Sequence, residues 1–149
     1  NIEPEIISIA KGMGNGFPVG GILIHPAIKA SYGLLGTTFG GNHLACIASL
    51  TVLETIEKES LMENVFEIYS YFLQQSSSIQ KHAKVKGRGL MLGLEFDFPV
   101  KELRSNLIYK HHIFTGSSKN PNLLRILPPL TLKKEHIDDL FDAIKSELS

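Results

Sequence analysis

The chain has 149 residues, a length that suits one domain, or one small domain carrying a piece of another. Fifteen Lys and Arg balance fifteen Asp and Glu, which excludes a broad basic field for nucleic acid and a polybasic run for a membrane surface; small or polar partners are favoured. The single cysteine, Cys46, excludes an internal disulfide, and no signal peptide or apolar run of transmembrane length is visible, so the expected compartment is a reducing cytoplasm.

The chain opens on Asn1-Ile2-Glu3-Pro4 without an initiator methionine and passes almost at once into what reads as a buried strand, so a fragment is expected. Glu5 to Ala10 and Val19 to Ile24 are β-branched runs, separated by Lys11-Gly12-Met13-Gly14-Asn15-Gly16-Phe17-Pro18. Lys11 therefore stands at a strand end, where chemistry is commonly placed. An ammonium held among apolar neighbours loses hydration, which favours the neutral amine, a nucleophile suited to Schiff-base chemistry with a carbonyl cofactor. The plainer alternative is a lysine that caps the strand and points to water. Two nucleotide readings fail on spacing. The glycines run G-x-G-x-G with Pro18 interrupting any following helix, and a phosphate loop needs its lysine after the glycines.

Pro26 to Tyr32 predicts a brief helix, and Gly33 to Asn42 a glycine-rich loop ending on Asn42 as a helix cap. From His43 to Glu59 apolar residues recur with helical spacing and spill around the cylinder, which predicts a long helix buried on more than one side and able to connect two domains; Cys46 should lie in its core. A second helix is expected from Leu61 to about Ile79, with Met62, Val65, Phe66, Tyr69, Phe72 and Leu73 as a core stripe. Strands follow at Ala83 to Val85 and Leu90 to Phe96 around Gly87-Arg88-Gly89, then a helix near Val100 to Lys110, strands at Ile113 to Thr115 and Leu123 to Leu127, and a last helix from about Lys133. This order predicts helices on one face of a small, mostly antiparallel sheet.

The six histidines show no pair at helical zinc spacing, so no metal site is expected; His111 and His112 are expected to contact the carbonyls of a helix end. Gly36-Thr37-Thr38-Phe39-Gly40-Gly41-Asn42 puts hydroxyls and free amides before a long helix, the makings of a phosphate site or of an ordinary capped loop. Arg125 is a lone guanidinium in the apolar run Leu123 to Leu127, and its burial would call for either an internal acidic partner or an acidic ligand.

Together, Ser8-Ile9-Ala10-Lys11-Gly12-Met13-Gly14-Asn15-Gly16-Phe17-Pro18-Val19-Gly20, Gly36-Thr37-Thr38-Phe39-Gly40-Gly41-Asn42, Gly87-Arg88-Gly89-Leu90-Met91-Leu92-Gly93 and Leu124-Arg125-Ile126-Leu127-Pro128-Pro129-Leu130 resemble the class III aminotransferases, in order and over essentially the whole chain. The resemblance implies an α/β fold, the C-terminal part of a fold-type I pyridoxal-phosphate transferase. In it, residues 1–42 are a remnant of the large cofactor-binding domain, 43–59 a connecting helix, and 60–149 a small α+β domain. It implies pyridoxal 5′-phosphate as cofactor with Lys11 as the Schiff-base lysine and proton shuttle. Thr38, with Thr37, would bind the cofactor phosphate across a homodimer interface, and Arg125 the substrate carboxylate. The implied reaction is transamination of N-acetylornithine with 2-oxoglutarate in arginine biosynthesis, the alternatives being N-succinylornithine, ornithine or 4-aminobutyrate as donor. His43 departs from the proline common in the family at that position. The family's ring-nitrogen acid, stacked aromatic, phosphate loop and second arginine have no match in this chain, so alone it is expected to be inactive, or to act only as a dimerisation or folding module.

Overall fold

The computed structural model describes residues 2–34 and 36–149; Asn1, and Leu35 within the expected glycine-rich loop, lie outside the described residues. The chain divides into two compact units, Asn1–Glu59 and Ser60–Ser149.

In the first unit the two β-branched runs form β1 (Ile6–Ala10) and β2 (Gly20–Ile24), an antiparallel pair in the register Ile6↔Ile24 to Ala10↔Gly20. A 3-10 turn at Gly12–Gly14 joins them, and α1 (His43–Lys58) packs against that turn. Asn42 caps α1, its Oδ1 accepting from the Ala45 N–H at 3.0 Å, so a histidine in place of proline at the first helical position leaves a regular helix start.

Four expectations for this unit do not hold. Every residue of β1 and β2 is exposed rather than buried, because a two-stranded ribbon has two faces and no layer of described residues covers either. In α1 only Ala45 and Ser49, one turn apart, are buried, whereas Leu44, Ile47, Leu50 and Leu53 are more than half exposed. Cys46 lies off that buried line and is exposed, not core. Pro26 to Tyr32 forms turns instead of a helix: the His25 carbonyl accepts from Ile28 N–H at 2.9 Å, and the His25 ring takes the Ala27 amide.

The second unit carries the sealed core. β3 (Ala83–Arg88), β4 (Met91–Phe96) and β5 (Leu123–Ile126) form an antiparallel sheet in that order. Strand alternation sends Leu92, Leu94, Phe96, Leu124 and Ile126 to one face, where they are buried. α2 (Leu61–Ser76), α3 (Lys101–Tyr109) and α4 (Lys134–Leu148) contribute Ile68, Phe72, Leu103, Leu107, Ile137, Phe141 and Ile144 to the same cluster, with the Phe72 and Phe141 rings 5.1 Å apart. The other face exposes Lys84, Lys86, Met91 and Arg125, so the helices lie on one face of the sheet as the element order requires.

The expected α2 stripe is narrower than its apolar content. Leu61, Ile68 and Phe72 are buried, whereas Met62, Phe66 and Leu73 are exposed, because α4 covers only one arc of the cylinder. Ile113 to Thr115 is not a strand. His112 takes a left-handed conformation, φ 58, and the Ile113 N–H is spent on the Leu107 carbonyl at 2.8 Å, so the segment is used in leaving α3 and only Gly116 reaches β5, as a single bridge to Arg125. His111 does not cap carbonyls. Its Nε2 bonds Glu147 Oε1 of α4 at 2.9 Å, and Asn106 and Lys110 donate to the same carboxylate. Those donors, the His111 ring first, hold the Glu147 carboxyl below the usual carboxylate range. No helix among the described residues is long and apolar enough to cross a membrane.

Candidate active site

Lys11 occupies the residue between β1 and the 3-10 turn, where the backbone must reverse within a few residues to bring Gly20 opposite Ala10. It does so at φ 54, ψ −39, a sparsely populated conformation for a side chain with a Cβ, costing on the order of 1–3 kcal/mol. Glycine follows at position 12, but lysine, not glycine, stands at the strained position. The turn is tight. Phe17 N–H donates to the Gly14 carbonyl at 3.0 Å, a Cβ on Gly14 would lie 2.6 Å from Val19 Cγ1, and Gly16 adopts φ 99. Lys11 itself is exposed, so the dehydration expected from its apolar neighbours is not supplied by the described residues.

Thr37 and Thr38 lead into α1. The Thr37 carbonyl accepts from Gly40 N–H at 3.4 Å, and the Thr37 methyl fills the space that a Cβ on Gly40 would need. Both threonines are exposed, and neither hydroxyl bonds any group among the described residues. Asn42 takes the Ala45 amide, which leaves the His43 and Leu44 amides of the helix start open. Free hydroxyls and free amides at a helix N-terminus are the elements of an anion site.

Arg125 belongs to the other unit, at the open face of β5. It is exposed, not buried, because strand alternation places it opposite the core residues Leu124 and Ile126. Glu95 is the acidic residue of β4, but its two oxygens are committed: Lys86 Nζ sits 3.0 Å from Oε2, and Asn120 Nδ2 donates to Oε1 at 2.8 Å. The Lys86 ammonium, with help from Asn120, holds the Glu95 carboxyl below its ordinary range. No carboxylate pairs with Arg125 among the described residues, so its guanidinium is open to a ligand. Gly116 was not readable as a site residue, since only its bridge to β5 brings it beside Arg125.

A concavity of about 990 Å³ in the same unit, lined by Phe114, Thr115, Leu127, His136 and Leu140 among others, contains neither Arg125 nor any other residue singled out from the sequence as a binding or catalytic candidate. Its walls are mostly apolar, and nothing in them offers an amine, a phosphate cradle or a guanidinium.

A family profile described as aminotransferase class-III matches residues 1–148. Acetylornithine aminotransferase of Aquifex aeolicus is 39% identical over 150 residues, spanning 99% of this chain and 39% of that protein. Acetylornithine aminotransferase of Methanocaldococcus jannaschii is 40% identical over 149 residues, spanning 96% and 37%. The chain thus spans about two fifths of the length of these relatives. Among solved structures, ornithine aminotransferase of Plasmodium yoelii superposes with a TM-score of 0.84 at 25% identity, over 98% of this chain and 41% of that one. With a match along its whole length and identities of this order, the chain belongs to the class III aminotransferases.

Proposed function

We propose that these residues serve a pyridoxal 5′-phosphate-dependent transamination in which the terminal amino group of N-acetylornithine passes to 2-oxoglutarate, in the cytoplasm and as a step of arginine biosynthesis. The observation that carries the reading is Lys11: an exposed amine held in a strained backbone conformation at the mouth of a hairpin, in a chain of this family. The cofactor, when bound, supplies an electrophilic carbonyl and an electron sink. Lys11 Nζ is the amine that would hold it. When not holding the cofactor, Nζ would accept the proton lost from the amino-bearing carbon of the substrate and carry it to the point of reprotonation. The Thr38 hydroxyl, with Thr37 beside it and the open amides of α1 behind, suits the cofactor phosphate, offered to the other subunit of a homodimer. The unpaired Arg125 guanidinium suits the carboxylate common to both substrates.

The names of the relatives favour N-acetylornithine, and competition assays with N-succinylornithine, ornithine and 4-aminobutyrate would rank the donors. The 149 residues alone are proposed to be inactive, since none of them matches the groups that would hold the cofactor ring. Turnover of N-acetylornithine by the purified chain would refute that. The direct test of Lys11 adds pyridoxal phosphate and follows absorbance near about 420 nm, then maps the borohydride-reduced lysine. The band and the label should both vanish in Lys11→Ala. A label spread evenly over the lysines would favour the second reading, a non-catalytic folding or dimerisation module, for which the exposed Ile6, Ile22 and Leu23 of the hairpin speak.

A further inference from the structure

Arg125 has a glycine on each side. In the sheet it pairs with Gly93 of β4, and its other edge is bridged to Gly116, whose N–H donates to the Arg125 carbonyl at 2.7 Å while the Arg125 N–H donates back at 3.2 Å. Directly opposed residues in an antiparallel ladder project their side chains to the same face about 4.5–5.5 Å apart, so both positions where a neighbour would crowd the guanidinium carry none. The two vacancies differ. A Cβ on Gly93 would meet Leu123 Cδ1 at 2.8 Å, so that space is taken by leucine. A Cβ on Gly116 would lie 2.7 Å from Arg125 Nε and 3.3 Å from Nη2, so the arginine itself lies across Gly116. Gly116 is not one of the positive-φ glycines, and the backbone there would accept alanine; the obstacle is the guanidinium. The segment is fixed from behind, where Arg104 Nε donates to the Thr115 carbonyl at 3.0 Å.

We propose that Gly116 is a positioning residue for Arg125: its missing side chain lets the guanidinium lie along the bridge, with one edge open to a ligand carboxylate. This rests on Arg125 being the carboxylate-binding residue. A Cβ at position 116 lifts the guanidinium off that track and breaks the fork-to-fork alignment that two parallel hydrogen bonds require.

The test uses the 149-residue chain and glutarate as probe, followed by the Arg125 Nε–H and Gly116 N–H resonances. Gly116→Ala should weaken glutarate binding about threefold or more. A thermal melt should show the variant destabilised by about 3 °C when Arg125 is present and not in an Arg125→Ala background, because the clash has then gone. Equal glutarate affinity in wild type and Gly116→Ala overturns the proposal, as does the same melting penalty in both backgrounds. Failure of the underlying reading looks different. In that case wild type gives no saturable shift, or Arg125→Gln binds glutarate as wild type does, while the melting cycle still reports whether Gly116 sets the arginine's course.

Discussion

The Gly87-Arg88-Gly89 motif offers a contrast that the geometry makes quantitative. Gly87 lies within β3 at φ 92, and a Cβ there would overlap the backbone of β4, colliding with the Met91 carbonyl oxygen and lying 3.0 Å from its carbon and 3.3 Å from Leu92 Cα. No rotamer change relieves a clash with backbone, so the paired strands must part. The disfavoured φ costs about 1–3 kcal/mol and the overpacking about 1–3 kcal/mol more, so Gly87→Ala should destabilise the second unit by roughly 2–6 kcal/mol. Gly89, two residues on at the hairpin turn, has φ 57, the left-handed region that other residues do visit, and its added Cβ would meet only Val65 Cγ1 at 3.3 Å. Gly89→Ala should cost about 1 kcal/mol. In urea, with a slope of about 1–2 kcal/mol per M, the first variant loses roughly 1–6 M of midpoint and the second about 0.5–1 M, read by far-UV circular dichroism. Equal midpoints for the two, or Gly87→Ala within about 0.5 M of wild type, would refute the reasoning. Arg88, exposed between them, should tolerate glutamine without loss of stability.

Other outcomes follow from single contacts. Phe141→Ala empties a fully buried position beside Phe72 and should cost about 3–5 kcal/mol, seen as an early urea transition; Phe141→Leu should recover most of it. Because the folded Glu147 carboxyl titrates below its unfolded value, its contribution is complete above pH about 4.3 and is lost as the pH falls through the lower folded value. Glu147→Gln should therefore melt lower than wild type near neutral pH, with the gap closing in acid. Asn42→Ala removes the bond to the Ala45 amide and should cost α1 about 1 kcal/mol, measured as faster amide exchange in its first turn. Lys11→Gly relieves the strained φ and should slow amide exchange in β1 and β2 while abolishing the specific pyridoxal phosphate label, a gain in order with a loss of chemistry.

Most elements of the second unit were legible because their apolar residues repeat with the period of the structure they form. The α4 stripe of Ile137, Leu140, Phe141 and Ile144 is buried as its spacing requires, and Leu92, Leu94 and Phe96 alternate into the core. Periodicity says which residues are apolar, not what lies against them. That is why Phe66 and Phe72, alike by spacing, end up 63% exposed and fully buried. Ile113 to Thr115 misled for a related reason: a β-branched run becomes a strand only if its amides are free to pair, and the exit from α3 had already claimed the first.

The candidate site shows the same division more sharply. Lys11, Thr37, Thr38 and Arg125 stood out as residue types in unusual company, and the company was read correctly as apolar or glycine-rich. What such company does depends on geometry that no local pattern encodes. An arginine in an apolar strand suggested burial and a compensating charge, yet alternation turns it outward, and the carboxylate of the neighbouring strand is occupied by Lys86 and Asn120, residues 39 and 5 positions away. The guanidinium is open because Glu95 is engaged elsewhere and because both cross-strand neighbours are glycine. Register, which pairs Gly93 and Gly116 with Arg125, thus converts an ordinary exposed charge into one with a direction, the geometry on which the proposed carboxylate contact rests.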